Sequence, residues 1–290
     1  MTYEYHTPVL VDEVLQFLVT HSDGFYVDGT LGGGGHAEHI LTKLTPQGKL
    51  IGFDMDNDAI EHASERLKKF SNTMFLQDNF TNIKSRLASL GMNHISGLFL
   101  DLGVSSRQLD SQERGFSFRS DSRIDLRMNR SQVLDGWMVV NTYEQSQLAD
   151  VIWKYGEERN SRRIAKKIIF ARERQPLDTT QDLARVVESA VGKRWLTKTL
   201  ARVFQAIRIE VNNELENLRT TLHNAIELLE QGGRIVVISY HSLEDRIVKQ
   251  MFRSEQRLAI LTKKPIRATE AETAINPRAR SAKLRAAERI

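Results

Sequence analysis

The stretch DGTLGGGGHAEHIL, residues 28 to 41, sets Asp28 just ahead of four consecutive glycines and His36 just behind them. Each glycine loses more backbone freedom on folding than any other residue, so the run weakens whatever element holds it. A run this long implies close approach of something to bare backbone. Gly32, Gly34 and Ala37 fit the spacing G-x-G-x-x-A. A glycine loop that leaves a strand and opens a helix offers unpaired peptide N–H groups to a nucleotide. Asp54 follows Gly32 by 22 positions, about the spacing at which an acid accepts hydrogen bonds from ribose hydroxyls. Asp78 and Asp101 come later, each closing a short apolar run.

These acids need elements to bring them to one rim. GFYVDGT, GKLIGFDMD, TMFLQDNF and GLFLDLGVSS read as strands. HAEHILTKL, with Ile40, Leu41 and Leu44 on one face, DAIEHASERLKKF and FTNIKSRLASLG read as the helices between them. Alternating strands and helices imply a doubly wound, parallel α/β sheet. Asp28, Asp54, Asp78 and Asp101 would then end four successive strands at one edge.

The alternation stops after Ser106. From Asp110 to about Asn212 the pattern is helical. ERNSRRIAKKIIFARERQ turns Ile164, Ala165, Ile168 and Ile169 inward and Arg162, Arg163, Lys166 and Lys167 outward, and Thr179 with Asp182 forms a capping-box start for the next helix. NNELENLRTTLHNAIELLEQGG carries the stripe Leu215, Leu218, Leu222, Ile226 and Leu229, with Gly232 and Gly233 as its stop. GRIVVISYHS resumes the sheet, and RLAILTKKPI and SAKLRAAERI read as a closing antiparallel pair. The expected organisation is a sheet domain over residues 1–108 and 213–290, interrupted by an all-helical insertion over 109–212.

Composition bounds the rest. The 290 residues carry a net charge of +4 and no cysteine, which excludes disulfides, thiolate metal sites and a cysteine nucleophile. No apolar run approaches membrane-spanning length, and MTYEYHTPVL is not patterned as a signal peptide. A soluble, cytoplasmic protein is expected. Bases outnumber acids nine to three from Arg257 onward and eight to three from Lys154 to Arg174. Two basic patches in a nearly neutral chain suggest a polyanion partner, with solvated faces as the alternative.

Asp28 discriminates among nucleoside ligands. A carboxylate beside a diphosphate in a partly dry cleft is repulsive. S-adenosylmethionine has no phosphate, and its methionine end carries an ammonium that an acid attracts. Asp28 therefore favours S-adenosylmethionine over NAD, with Asp78, Asn79 and Phe80 placed to meet the adenine. His36 and His39 have a spacing that metal ligands can use, but no third ligand joins them, and no metal is expected.

HTPVLVDEV, DGTLGGGGH, LDLGVSSRQLD, RGFSFRSDSRIDLRM, YGEERNSRRIAKKI, ISYHSLEDRIVK and NPRARSAKLRAAER run in order from His6 to about Arg289. Together they closely resemble the RsmH (MraW) family. The resemblance implies a class I methyltransferase (Rossmann-like) sheet interrupted by a helical domain. It implies transfer of a methyl group from S-adenosylmethionine to the exocyclic N4 of a cytosine in the decoding region of 16S rRNA, taken either as naked RNA or within the small ribosomal subunit. It assigns cofactor contacts to Gly34, Gly35, His36, Asp54, Phe80, Asp101 and Gln108, to which the residue-level reading adds Asp28 and Gly32. Where other amino-methyltransferases carry a D/S-P-P-Y signature this chain has DLGVSS.

On that reading Asp101, Ser105 and Ser106 are the candidate catalytic acceptors of the target amine, with Ser239 and His241 as second candidates. Phe116 to Phe118 are candidates to stack on the unpaired base. Arg162, Arg163, Lys166 and Lys167 in the insertion, and Arg278 and Arg280 in the tail, are expected to hold the RNA backbone. A homodimer is left open. An NAD-linked oxidoreductase and a non-catalytic RNA-binding protein are the rival classes.

Overall fold

Apolar residues alternate between two faces along each central strand of the computed structural model, which describes residues 8–104 and 114–290. On β4 (Ile95–Asp101), Leu98 and Leu100 enter one core and Phe99 the other. On β5 (Leu229–Ser239), Ile235 and Val237 part from Val236 and Ile238 in the same way. Successive side chains on a strand point to opposite faces, so a strand apolar on both must be covered on both.

Helices supply the cover. One face buries Leu18 of α1 (Val11–Leu18), Ile40 of α2 (Gly35–Leu41) and Leu67 of α3 (Asn57–Leu67). The other buries Leu87 of α4 (Ile83–Ser89), Leu222 of α10 (Glu214–Leu228) and Val248 of α11 (Ser242–Ser254). With β1 (Phe25–Asp28), β2 (Lys49–Asp54), β3 (Thr73–Gln77), β6 (Leu258–Ile260) and β7 (Lys283–Arg289), the sheet has seven strands in the order β3-β2-β1-β4-β5-β7-β6. β1 to β5 run parallel, while β7 lies antiparallel to both β5 and β6. The expected closing pair is there, with Leu258 opposite Arg289, and β7 is inserted between β6 and β5.

The chain divides into two units, residues 1–103 with 215–290 and residues 104–214. The first holds the sheet. The second is built from α5 (Gly136–Thr142), α6 (Gln145–Gly156), α7 (Ser161–Arg172), α8 (Thr180–Val191) and α9 (Leu196–Asn212), with no strand beyond an isolated Arg123–Thr179 bridge among its described residues. Ile164, Ala165 and Ile168 join its core with Leu183, Val203 and Ile207. Thr179 and Asp182 form the expected reciprocal cap of α8.

Two element ends differ from expectation. α2 stops at Leu41, so Leu44 lies beyond its last turn. α10 stops at Leu228, ahead of Gly232 and Gly233, which belong instead to the start of β5. The pairing of β5 with β4 slips there, from Ile95–Leu229 to Gly97–Arg234. The extra residues on β5 form a bulge, and the glycines serve that bulge rather than a helix cap.

Candidate functional site

The strand ends assemble the rim that the spacing predicted. Asp28 ends β1, Asp54 ends β2 and Asp101 ends β4, with Asp28 in register with Gly52 and Phe99 on its neighbours. The glycine loop crosses this rim. Its fold follows from two carboxylates. Asp54 Oδ2 accepts from the Gly32 N–H at 2.9 Å and Oδ1 from the Asp56 N–H at 2.9 Å. Asp28 Oδ1 accepts from the Thr30 N–H at 3.0 Å and the Thr30 hydroxyl at 3.4 Å. Thr30 Oγ1 in turn accepts the Asp101 N–H at 2.6 Å. The three strand ends are thus tied by hydrogen bonds that run through the loop.

The glycines face different ways. Gly32 has φ of +50°, and a Cβ there would meet nothing nearer than the Thr30 carbonyl at 3.8 Å, so its bare side looks into open space. Gly34 has φ of +75°, but a Cβ would stand 3.1 Å from Leu67 and 3.3 Å from Ala63. Gly34 therefore lets α3 approach the loop. The nearest atoms to a Cβ on Gly35 belong to Pro8, at 3.5 Å. Phe80 is half-buried and packs against the core that holds Val27 and Leu100, with its Cβ 3.3 Å from the place a Cβ would take on Gly29, the first residue past β1.

Electrostatics divide the acids by task. Asp28 is 1% exposed, and burial pushes its carboxyl up to about 7, against the pull of the Thr30 N–H, with the charges of Asp101 and Asp54 adding to the rise. A carboxyl committed to Thr30 and shut from solvent is not the open ammonium partner that the sequence suggests. Asp101, with its side chain 22% exposed, is better placed. Its Oδ2 lies 3.7 Å from His36 Nδ1, and its Oδ1 accepts from the Tyr240 hydroxyl at 2.8 Å. His36 is buried, which pushes its imidazole down to about 4 and keeps it neutral. Its Nε2 is 2.8 Å from the Val9 carbonyl and must donate there, since a carbonyl only accepts. Nδ1 is then an acceptor, so His36 and Asp101 present two acceptors side by side. His39, unlike His36, is exposed.

Burial pushes Asp54 up to about 6, partly offset by the Asp56 and Gly32 N–H groups. Asp78 is committed to Asn79, Asn82 and Arg86, so it caps the turn after β3 and has no clear reach to an adenine. Sequence reasoning alone misses Thr30 and Tyr240. A hydroxyl two residues past a strand-end acid, and a tyrosine beside His241, are the signals that could find them.

A family model described as the MraW methylase family matches residues 3–290. The chain belongs to that family. Its relatives include proteins named Ribosomal RNA small subunit methyltransferase H from Geobacter sp. (strain M21) and from Fusobacterium nucleatum subsp. nucleatum. The first is 47% identical over 308 residues, covering 99% of each chain, and the second 44% identical over 306 residues, covering 99% of this chain and 98% of its own. A Streptococcus mutans protein solved in complex with SAH aligns over 97% of this chain and 95% of its own, with 13% identity and a TM-score of 0.44.

The methylase places its other predicted residues as follows. Ser105, Ser106 and Gln108 lie outside the described residues. His241 caps α11: its Nδ1 accepts from the Glu244 N–H while Glu244 Oε2 accepts from the Tyr240 and His241 N–H groups. Ser239 is buried at the β5 end and donates to the Lys283 carbonyl at 3.4 Å. Phe116 is core, and Phe118 packs on Phe204 with ring centres 5.6 Å apart, so both hold the helical unit together rather than wait for a base.

The methylase's two basic patches fare differently. Arg162, Arg163, Lys166 and Lys167 are all exposed on α7. The tail patch is thinner than its composition. Arg257 pairs with Glu255 at 2.8 Å, Arg285 pairs with Asp245 at 2.6 Å, and Arg289 donates to the Ile226 carbonyl at 2.6 Å. Arg280 is exposed and Arg278 half-buried, on the short turn Pro277–Ser281. No helix among the described residues is long and apolar enough to cross a membrane.

Proposed function

We propose that this methylase transfers a methyl group from S-adenosylmethionine to the exocyclic N4 of a cytosine in the decoding region of 16S rRNA. The observation that carries the cofactor part is the acceptor pair of His36 Nδ1 and Asp101 Oδ2, 3.7 Å apart at the end of β4. Two adjacent acceptors at a rim of three carboxylates suit an ammonium and oppose a diphosphate. Asp54 stands where ribose hydroxyls would be accepted, and Phe80 near the end of β1 where an adenine would be covered. Gly34, Gly35 and Asp28 act from behind, shaping the loop. The identity of the relatives supports an rRNA substrate of the small subunit.

The bound cofactor supplies a methyl already activated by its sulfonium. What remains for the chain is to hold a weakly nucleophilic amine in line and to accept its hydrogens as it becomes cationic. Asp101 is at the mouth for that task, and Ser105 and Ser106 follow it in the chain. The base must leave its stack to reach the rim. We assign residues 109–212 to substrate recognition, with Arg162, Arg163, Lys166 and Lys167 against phosphates and Arg278 and Arg280 as a second contact.

Tritium transfer from labelled cofactor to small subunits that lack the modification, followed by mapping of the labelled nucleotide, tests the whole reading. Label on N4 of one decoding-region cytosine is the expected result. Label elsewhere in the RNA, or none, overturns it. Repeating the transfer on naked 16S rRNA identifies the form of substrate.

A further inference from the structure

Tyr240 follows β5 directly and carries a role that no strand-end acid or glycine motif assigns. Its hydroxyl donates to Asp101 Oδ1 at 2.8 Å. Burial, with the charge of Asp101 next, pushes the phenol well above its ordinary value, so the hydroxyl keeps its proton and remains a donor. The ring passes Gly103, where a Cβ would stand 3.5 Å from Tyr240 Cδ2. The backbone of Tyr240 is itself anchored, because its N–H donates to Glu244 Oε2 at 2.9 Å.

Asp101 is therefore gripped twice from this unit. Thr30 Oγ1 holds its N–H at 2.6 Å, and Tyr240 holds Oδ1. A carboxylate fixed at its backbone and at one oxygen has little torsional freedom left. The remaining oxygen is directed to the side where His36 Nδ1 lies, 3.7 Å away. Without the phenol, that oxygen loses its donor and the carboxylate gains torsional freedom.

We propose that Tyr240 is a positioning residue that aims Asp101 so that Oδ2, together with His36 Nδ1, accepts N–H bonds from the ammonium end of the cofactor. The inference rests on the cofactor reading given above. It adds that the grip is delivered from the end of β5, across the sheet from the glycine loop.

The test compares two ligands that share the adenosine and the sulfur but not the amino-acid end: S-adenosylhomocysteine and methylthioadenosine. Their affinities are measured by calorimetry for the parent, Tyr240→Phe and Asp101→Asn, with thermal melts to confirm folding. Tyr240→Phe keeps the buried ring and removes one hydroxyl. It is expected to weaken S-adenosylhomocysteine about tenfold, in line with loss of one bond to a charged group, while methylthioadenosine changes less than about twofold. Equal weakening of both ligands, or of neither, overturns the proposal, since a structural role would not distinguish them. Asp101→Asn separates this from failure of the cofactor reading. If that variant also leaves the ratio of the two affinities at the parent value, the ammonium is not bound at Asp101, and it is the assignment of the site that falls. Should Tyr240→Phe fail to fold, Thr30→Val releases the other grip on Asp101 and is expected to shift the same ratio in the same direction; an unchanged ratio there overturns the positioning scheme.

Discussion

The carboxylate of Asp54 holds the peptide N–H of Gly32 at 2.9 Å, joining the end of β2 to the loop that leaves β1. One side chain thus fixes the glycine loop, and in the proposed site the same side chain is the acceptor for ribose hydroxyls. Asp54→Ala is expected to cost roughly 1.5–3 kcal/mol of cofactor affinity for each charged acceptor bond removed. Titration calorimetry with S-adenosylhomocysteine measures it. An unchanged dissociation constant in a folded variant removes Asp54 from the site.

Gly32 and Gly34 should fail in different ways. Valine at Gly34 meets the left-handed φ of +75°, worth roughly 1–2 kcal/mol of strain, and crowds Leu67 and Ala63, typically another 1–3 kcal/mol or so. Its main effect should be on urea unfolding of the free protein. Alanine at Gly32 carries the left-handed strain of φ +50° but meets only the Thr30 carbonyl, at 3.8 Å, so it should cost less stability than Gly34→Val and show its larger effect on S-adenosylhomocysteine binding. If Gly34→Val keeps the parent's unfolding midpoint and loses only the ligand, the assignment of these faces is wrong.

Buried Asp28 and His36 give stability opposite dependences on pH. Asp28, raised from 3.8 to about 7, keeps in the folded chain a proton that the unfolded chain has released, so its contribution is full below about pH 4 and is lost as pH rises through about 7. Asp54, raised to about 6, acts in the same sense. His36, lowered from 6.5 to about 4, is neutral when folded while the unfolded imidazole is charged, so stability rises with pH across that interval. Asp28→Asn is expected to gain on the parent between about pH 4 and pH 7, by an amount on the order of a few kcal/mol. Urea unfolding at a series of pH values reads the difference, and parallel curves for the two proteins would rule out a proton held by Asp28.

The basic face of α7 can be tested apart from the cleft. Changing Arg162, Arg163, Lys166 and Lys167 to glutamine leaves the inward residues Ile164, Ala165 and Ile168 in place. Each phosphate no longer neutralised should flatten the dependence of log K on log salt by about 0.7–0.9. Weaker binding to small-subunit RNA, a shallower slope and unchanged affinity for S-adenosylhomocysteine are expected. Parent-like affinity and slope would make the face merely solvated.

Much of the rim is legible in the sequence. Asp28, Asp54 and Asp101 close apolar runs, and a doubly wound sheet brings such ends to one edge, so their meeting follows from pattern alone. What the pattern does not carry is direction. Gly34 and Gly32 are alike in sequence, and only the approach of Leu67 tells them apart. Asp28 reads as an open acid because the Thr30 lock that buries it is a matter of geometry. The tail reads as more basic than it is because Arg285 and Asp245 pair across 40 residues. Gly232 and Gly233 read as a helix end because a bulge depends on the partner strand, which local sequence does not name.

The register of β5 on β4 has a kinetic corollary. Asp101 and Ile238 are paired neighbours in the sheet, yet the whole helical unit is threaded between them. Closing so long a loop carries an entropic penalty that must be met before the pairing yields anything. A unit with its own core of Ile164, Leu183 and Val203 can collapse on short-range contacts first and shorten the effective loop. Loosening that core should therefore slow the refolding of a sheet whose own residues are untouched, and the barrier to assembling the rim would be set by side chains outside the sheet.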